Sequence, residues 1–191
     1  IGTTDYYTGE KRTVTLDGLI YYQGAAPCLN VTGDGTLVVN CTNRAYGAYI
    51  TVNITNSATL QVNGGKYPGK GNINMAGGTT LYLPDSASAT APLCQQGAAY
   101  GIAFAAGAMI KLNGLAAGVV PFTTNKLTLP DEGTITLSAG DGETIPDGQY
   151  PVFTAQQGIG YSAQELNEKI LLAGSALPAQ CGFVVSVDGK T

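Results

Sequence analysis

The residues best placed to do chemistry are five carboxylates within 17 residues: Asp131, Glu132, Asp141, Glu143 and Asp147. Two of them facing each other across a groove would suit glycoside hydrolysis, one protonating the leaving oxygen and the other attacking the sugar or activating water. Asp141, Glu143 and Asp147 are also a candidate metal set, since several carboxylate oxygens can gather around Ca²⁺. Each, however, sits beside Gly or Pro, as in Pro130-Asp131-Glu132-Gly133, Asp141-Gly142-Glu143 and Pro146-Asp147-Gly148. Turn formation explains such residues first. The expectation is no cofactor, with calcium as the alternative.

A polysaccharide lyase would instead need a base and cations to neutralise a uronate. The candidates are Arg12, Arg44, Lys66, Lys70 and Lys111. Lys66 and Lys70 lie in Gly64-Gly65-Lys66-Tyr67-Pro68-Gly69-Lys70-Gly71, whose order is not that of a phosphate-binding loop and reads as a solvated turn. The chain has no His, which removes the usual nucleophile pairs, imidazole metal sites and near-neutral proton switches. A non-catalytic role is therefore expected.

Six of the 11 tyrosines, Tyr6, Tyr7, Tyr21, Tyr22, Tyr46 and Tyr49, fall in the first fifty residues. Rings with an apolar face and a polar tip can stack on sugars or grip a protein surface. Tyr21, Tyr22, Tyr46 and Tyr49 are the candidate ligand-binding set for a glycan or protein partner. The competing reading is that half of them fill the core and half a strand face. In the pair Tyr21-Tyr22 one ring must point in and the other out.

Cys28, Cys41, Cys94 and Cys181 contain no C-x-x-C pair, so a zinc site would have to collect four scattered thiolates. Cys28 and Cys41 are close enough in sequence to close a short loop as a disulfide; four buried free thiols are the alternative. Asn30-Val31-Thr32, Asn40-Cys41-Thr42 and Asn53-Ile54-Thr55 are glycosylation sequons that would mark surface loops in a eukaryotic source. Thr-x-Thr occurs at Thr13 to Thr15 and Thr134 to Thr136; ranks of such pairs can order ice-like water, but two isolated copies make no rank.

What must position these residues is set by the rest of the chain: 191 residues, 44% apolar, 12% charged and with 27 Gly. That is a β-rich, turn-rich profile and long enough for a core. A net charge of −4 with only nine Lys plus Arg argues against nucleic acid. The most apolar stretch, residues 97 to 110, is too short to span a membrane. The chain begins at Ile1 with no secretory signal, which suggests a processed or excised piece.

One short pattern returns along the chain: Val14-Thr15-Leu16-Asp17, Thr36-Leu37-Val38-Val39-Asn40, Thr59-Leu60-Gln61-Val62-Asn63, Thr80-Leu81-Tyr82-Leu83-Pro84, Met109-Ile110-Lys111-Leu112-Asn113, Leu127-Thr128-Leu129-Pro130 and Ile135-Thr136-Leu137-Ser138. Leu16, Leu37, Leu60 and Leu81 are 21, 23 and 21 residues apart, the step of a chain coiling through successive rungs. The step then becomes 29 at Ile110, 17 at Leu127 and 8 at Ile135, so the last third departs from a simple coil. Between copies, Ile20 to Tyr22, Tyr49 to Ile54 and Tyr100 to Phe104 would each add a second strand per rung. A β-solenoid is favoured over a β-sandwich or jelly roll, whose turn signals carry no such longer echo.

Ser162-Ala163-Gln164-Glu165 is a capping box opening a short amphipathic helix over 162–173, with Gly174 as its stop. The run Phe183 to Val187 predicts a strand leading into the Asp188-Gly189 turn, whose returning strand is missing, leaving an edge open to another chain.

The stretch Val31-Thr32-Gly33-Asp34-Gly35-Thr36-Leu37, with Tyr46-Gly47, Thr51-Val52-Asn53 and Ala58-Thr59-Leu60, resembles the autotransporter-associated β-strand repeat of bacterial secreted proteins. Residues 140–191 are similar to the closing region that often follows such repeats. The resemblance implies a right-handed parallel β-helix at a secreted or cell-surface location, and it carries over no catalytic residue. The expectation is thus an all-β chain with solenoid rungs over 1–139 and a closing region with one capping helix over 140–191. Its role would be structural and adhesive. Polysaccharide binding or degradation and self-association into filaments through the solenoid ends are the alternatives.

Overall fold

The computed structural model describes residues 1–17, 28–41, 50–64, 66, 71–88, 100–139, 145–173 and 181–191. The elements run β1 (Thr13–Leu16), β2 (Cys28–Val31), β3 (Thr36–Val39), β4 (Thr51–Ile54), β5 (Thr59–Val62), β6 (Ile73–Met75), β7 (Thr80–Leu83), β8 (Ile102–Phe104), β9 (Met109–Leu112), β10 (Phe122–Thr124), β11 (Leu127–Thr128), β12 (Ile135–Ala139), β13 (Phe153–Ala155), α1 (Ala163–Lys169) and β14 (Ile170–Ala173). Short β-branched and Leu-rich segments separated by Gly and Asn have too little length for stable isolated helices, and alternation by two suits a half-buried strand.

These strands wind as a parallel β-solenoid. One sheet has the order β1-β3-β5-β7-β9-β12-β14 and the other β11-β8-β6-β4-β2, with β10 and β13 forming a small third pair. All of the pairings between named strands are parallel. The sandwich alternative, with its antiparallel neighbours, is excluded.

Register stacks like on like. Val14, Leu37, Leu60, Leu81, Ile110, Leu137 and Leu172 form one inward column. Leu29, Val52, Ile73, Ile102 and Leu127 form another on the second sheet. Leu37, Leu60, Leu81 and Ile110 have no solvent exposure, so each contributes about 1.5–3 kcal/mol of burial. Phe122 and Phe153 extend the core, stacked with centroids 5.6 Å apart.

The column of leucines departs from the spacing expectation in its first member. Leu16 pairs with Val39, and Val14 is the residue beneath Leu37. The later irregularity also has a cause: Leu127 belongs to the second sheet, beside Ile102, so the coil itself continues from Ile110 to Leu137. The predicted second strands at Tyr49 to Ile54 and Tyr100 to Phe104 are β4 and β8; Ile20 to Tyr22 lie outside the described residues.

Corners between the sheets repeat from rung to rung. Ala58, Thr79 and Ala108 each donate a backbone N–H to the carbonyl three residues earlier, and Gly78 and Gly107 take positive φ at equivalent places. Buried hydroxyls close the local polar accounts: Thr79 donates to the Ala76 carbonyl at 2.6 Å and Ser86 to that of Leu83 at 3.1 Å.

The two ends of the second sheet are covered. At β2, the Thr3 N–H donates to the Thr32 carbonyl and the Thr32 N–H to the Ile1 carbonyl, around a parallel bridge at Gly2 and Thr32. At β11, α1 takes the place in chain order that a strand holds in earlier rungs, and the Tyr161 phenol accepts from the Leu129 N–H.

The closing region corrects two expectations. Helix α1 has the capping box at Ser162 and Glu165, but it ends at Lys169, and Ile170–Ala173 are a strand beside β12. Pairing with an available sheet edge outweighs the continued amphipathic pattern. Phe183 to Val187 form no strand, because the Asn167 side chain takes the Phe183 main chain in both directions, accepting at 2.9 Å and donating at 3.2 Å. After the turn at Ser186 to Gly189 the chain does return: Gly189 and Lys190 carbonyls accept from Ile159 and Ala155.

Candidate functional site

On β4 and its neighbours, alternation points Asn30, Asn53 and Asn74 outward in one register column. The Asn53 amide nitrogen donates to the Asn30 oxygen and that of Asn74 to the Asn53 oxygen, both at 2.8 Å. The column then meets Ala103, where the ladder stops. Beside it run Thr55, Ala76 and Ala105, and the resulting trough has a volume of about 590 Å³. Its floor is the strand backbone running through Ile54, Met75 and Phe104, whose side chains are buried in the core.

A second ladder follows the ends of the other sheet. Asn40 donates to Asp17 at 2.8 Å and Asn63 to Asn40 at 3.3 Å, with Gln61 donating to Asn63. Further along, Lys111 lies 5.4 Å over the Tyr82 ring, and Asn113 donates to the Tyr82 hydroxyl.

A third feature is an aromatic tip at the first turn of the chain. Asp5 accepts from the Tyr7 and Thr8 N–H groups at 2.8 and 2.9 Å, and Gly9 closes the loop in a left-handed conformation. The Arg12 guanidinium pairs with the Asp5 carboxylate, and Thr4 donates to Asp34 at 2.6 Å. Held on this base, Tyr6 and Tyr7 are 92% and 91% exposed, their rings edge to face at 5.3 Å. Rings this exposed contribute nothing to the core and are free to meet a ligand.

The residues expected to form a site fare unevenly. Tyr21, Tyr22, Tyr46 and Tyr49, together with Asp141 and Glu143, lie outside the described residues. Asp147 is an exposed turn residue between Pro146 and Gly148, as its neighbours suggested. Asp131 and Glu132 are exposed in the turn after β11, where the Lys169 ammonium grips the Pro130 and Asp131 carbonyls. Among the described residues, no three His, Cys, Asp or Glu side chains are grouped to hold a metal. Cys28 and Cys41 are free thiols. Cys28 is exposed at the start of β2 and Cys41 is buried just after β3, which belongs to the other sheet, and no bridge joins them.

Three titratable groups among the described residues are shifted by their local surroundings. Burial pushes the Cys41 thiol up, and the Ser162 N–H and hydroxyl hold the Glu165 carboxyl below its usual range. Donors from Ser186 and Lys190 do the same for Asp188. None of these groups lines the trough.

The sequence marks Asn30 and Asn53 as parts of sequons, and Asn53 also as part of the repeat-like Thr51-Val52-Asn53, but not as a site. The missed signal was spacing: Asn30, Asn53 and Asn74 are 23 and 21 residues apart, the same step as the core leucines. Comparison with protein-family models, curated proteins and solved structures finds no match.

Proposed function

We propose that this chain is a non-catalytic structural and adhesive module of a secreted or cell-surface bacterial protein. The observation that supports it best is the outward face of β2, β4 and β6, where one asparagine per rung is aligned and held by its neighbour. A core of stacked Leu, Ile and Val makes the wall stiff, and the stiff wall fixes the outward groups in rows. Such a surface suits multivalent, shallow contact with an extended partner. The exposed Tyr6 and Tyr7 pair adds an aromatic contact at one end.

Binding of the purified chain to a broad glycan array and to intact bacterial cells tests this reading. Reproducible binding without release of new reducing ends or unsaturated sugars is expected. Product release from any bound polysaccharide would move the chain to the enzyme class, and failure to bind any glycan or cell would remove the adhesive role. Self-association is part of the same proposal, since β1 and β14 stand at the ends of the seven-stranded sheet. Sedimentation across a hundredfold concentration range tests it, and a concentration-independent monomer counts against it.

A further inference from the structure

We infer that the trough over Asn30, Asn53, Asn74 and Ala103 is a binding site for a linear, neutral polysaccharide lying along the solenoid axis. The inference rests on the adhesive reading and names the ligand class it would serve.

Three properties of the trough select that class. First, each asparagine amide has two N–H donors and an oxygen with two lone pairs. Within the ladder Asn53 spends one donor on Asn30 and one lone pair on Asn74, which leaves it a donor and an acceptor for a ligand. A hydroxyl, able to donate and accept at once, is the complementary group. A purely apolar ligand would strip water from these amides and return no hydrogen bond.

Second, none of the described residues lining the trough is charged. A polyanion or polycation would lose solvation there without gaining an opposite charge, so a neutral chain is preferred. Third, the polar groups repeat at the spacing of parallel strands, about 4.8 Å, close to the length of one extended pyranose residue. Past Asn74 the outward side chains shrink to Ala103 and Ala105, so the trough opens along the axis and accepts a chain wider than the ladder. The ladder also fixes the amide rotamers in advance, which lowers the entropy lost on binding. An extended peptide is less suited, because strand addition needs a sheet edge and this is a sheet face.

The experiment is affinity electrophoresis of the full chain in gels containing one soluble polysaccharide each: a β-1,4-glucan, a β-1,3-glucan, a galactan, a mannan, and alginate as the acidic comparator. Retardation by at least one neutral chain, and none by alginate, is expected. Asn53→Ala combined with Asn74→Ala should weaken retardation at least tenfold. Ala103→Tyr, which fills the trough and leaves the ladder intact, should do the same, while Thr59→Ala on the other sheet should not. Circular dichroism and thermal unfolding of each variant confirm the fold, and the two unlike variants guard against one failing to fold. No retardation by any neutral polysaccharide, stronger retardation by alginate, or competition by an uncharged extended peptide in place of a sugar chain would overturn the inference. Retardation that survives both trough variants would overturn it too. If cell binding persists in both trough variants and is lost in Tyr6→Ala with Tyr7→Ala, the trough assignment fails and the adhesive reading stands. If the parent chain binds neither cells nor glycans, both fail.

Discussion

The phenol oxygen of Tyr161 accepts the backbone N–H of Leu129 at 2.9 Å. Leu129 is 3% exposed and follows β11, the last strand of its sheet among the described residues, and the Tyr161 oxygen takes this donor in place of a strand. One side chain thereby ends the sheet. Tyr161→Phe keeps the ring and leaves the donor buried and unpaired, a loss of about 1–3 kcal/mol. Urea unfolding of the two proteins, with unchanged slope and a lower midpoint, is the expected result; equal midpoints would mean that water satisfies the amide.

Burial within the leucine column predicts a gradient of sensitivity. Leu60 is fully buried between Leu37 and Leu81, and Leu60→Ala should cost about 2–5 kcal/mol through lost transfer energy and the cavity left behind. Leu16, half-buried on the end strand, should cost less than half as much on truncation. Denaturant midpoints measured side by side check the ratio.

How far the chain disclosed this arrangement in advance is clear from the same residues. The alternation Thr-Leu-x-Val was legible because a strand with one buried face needs it, and the near-constant step revealed the coil. Which of Val14 and Leu16 lies under Leu37 was not legible, since both point inward and a slip of two residues preserves the pattern. Leu127 broke the spacing because a pattern common to both sheets does not say which sheet a copy joins. Ile170 to Ala173 fit a helix face as well as a strand, and only the edge of β12 decides between them. The asparagine trough was hidden for a related reason: its residues are 21 and 23 apart and meet only through rung register.

The Glu165 carboxyl predicts an acid-sensitive closing region. Ser162 donors hold it below its usual range, so it adds stability above the unfolded-state value, and that contribution disappears as pH falls through the lower folded-state value. A carbon-13 titration of the Glu165 side chain should show a midpoint below the ordinary glutamate range. Glu165→Gln should flatten this part of the pH dependence, and Ser162→Ala should cost about 0.5–2 kcal/mol at neutral pH.

Thiol chemistry should follow position in the wall. Cys28 and Cys181 are exposed and Cys41 is buried with its thiol pushed up, so it carries less thiolate at mildly alkaline pH. Brief iodoacetamide treatment followed by peptide mapping should modify Cys28 and Cys181 and spare Cys41 until urea unfolds the chain. Early labelling of Cys41 would show that the wall around it opens in the native state.

Gly101 ties the backbone to the trough. It precedes β8, and a Cβ there would lie 2.2 Å from the Lys126 carbonyl oxygen, the same oxygen that accepts the Ile102 N–H at 3.0 Å. The Gly101 N–H itself is held by the Asn72 side chain at 2.9 Å. Alanine at this position needs no unusual φ, so its effect would come from separating β8 and β11, at a cost of about 1–3 kcal/mol. Because β8 carries Ala103, that separation also moves the open end of the trough. Gly101→Ala should therefore lower both the unfolding midpoint and polysaccharide retardation, whereas Leu60→Ala should lower the midpoint by more and leave the retardation of the folded fraction largely intact. Retardation that tracks stability alone across the two variants would separate the trough from binding.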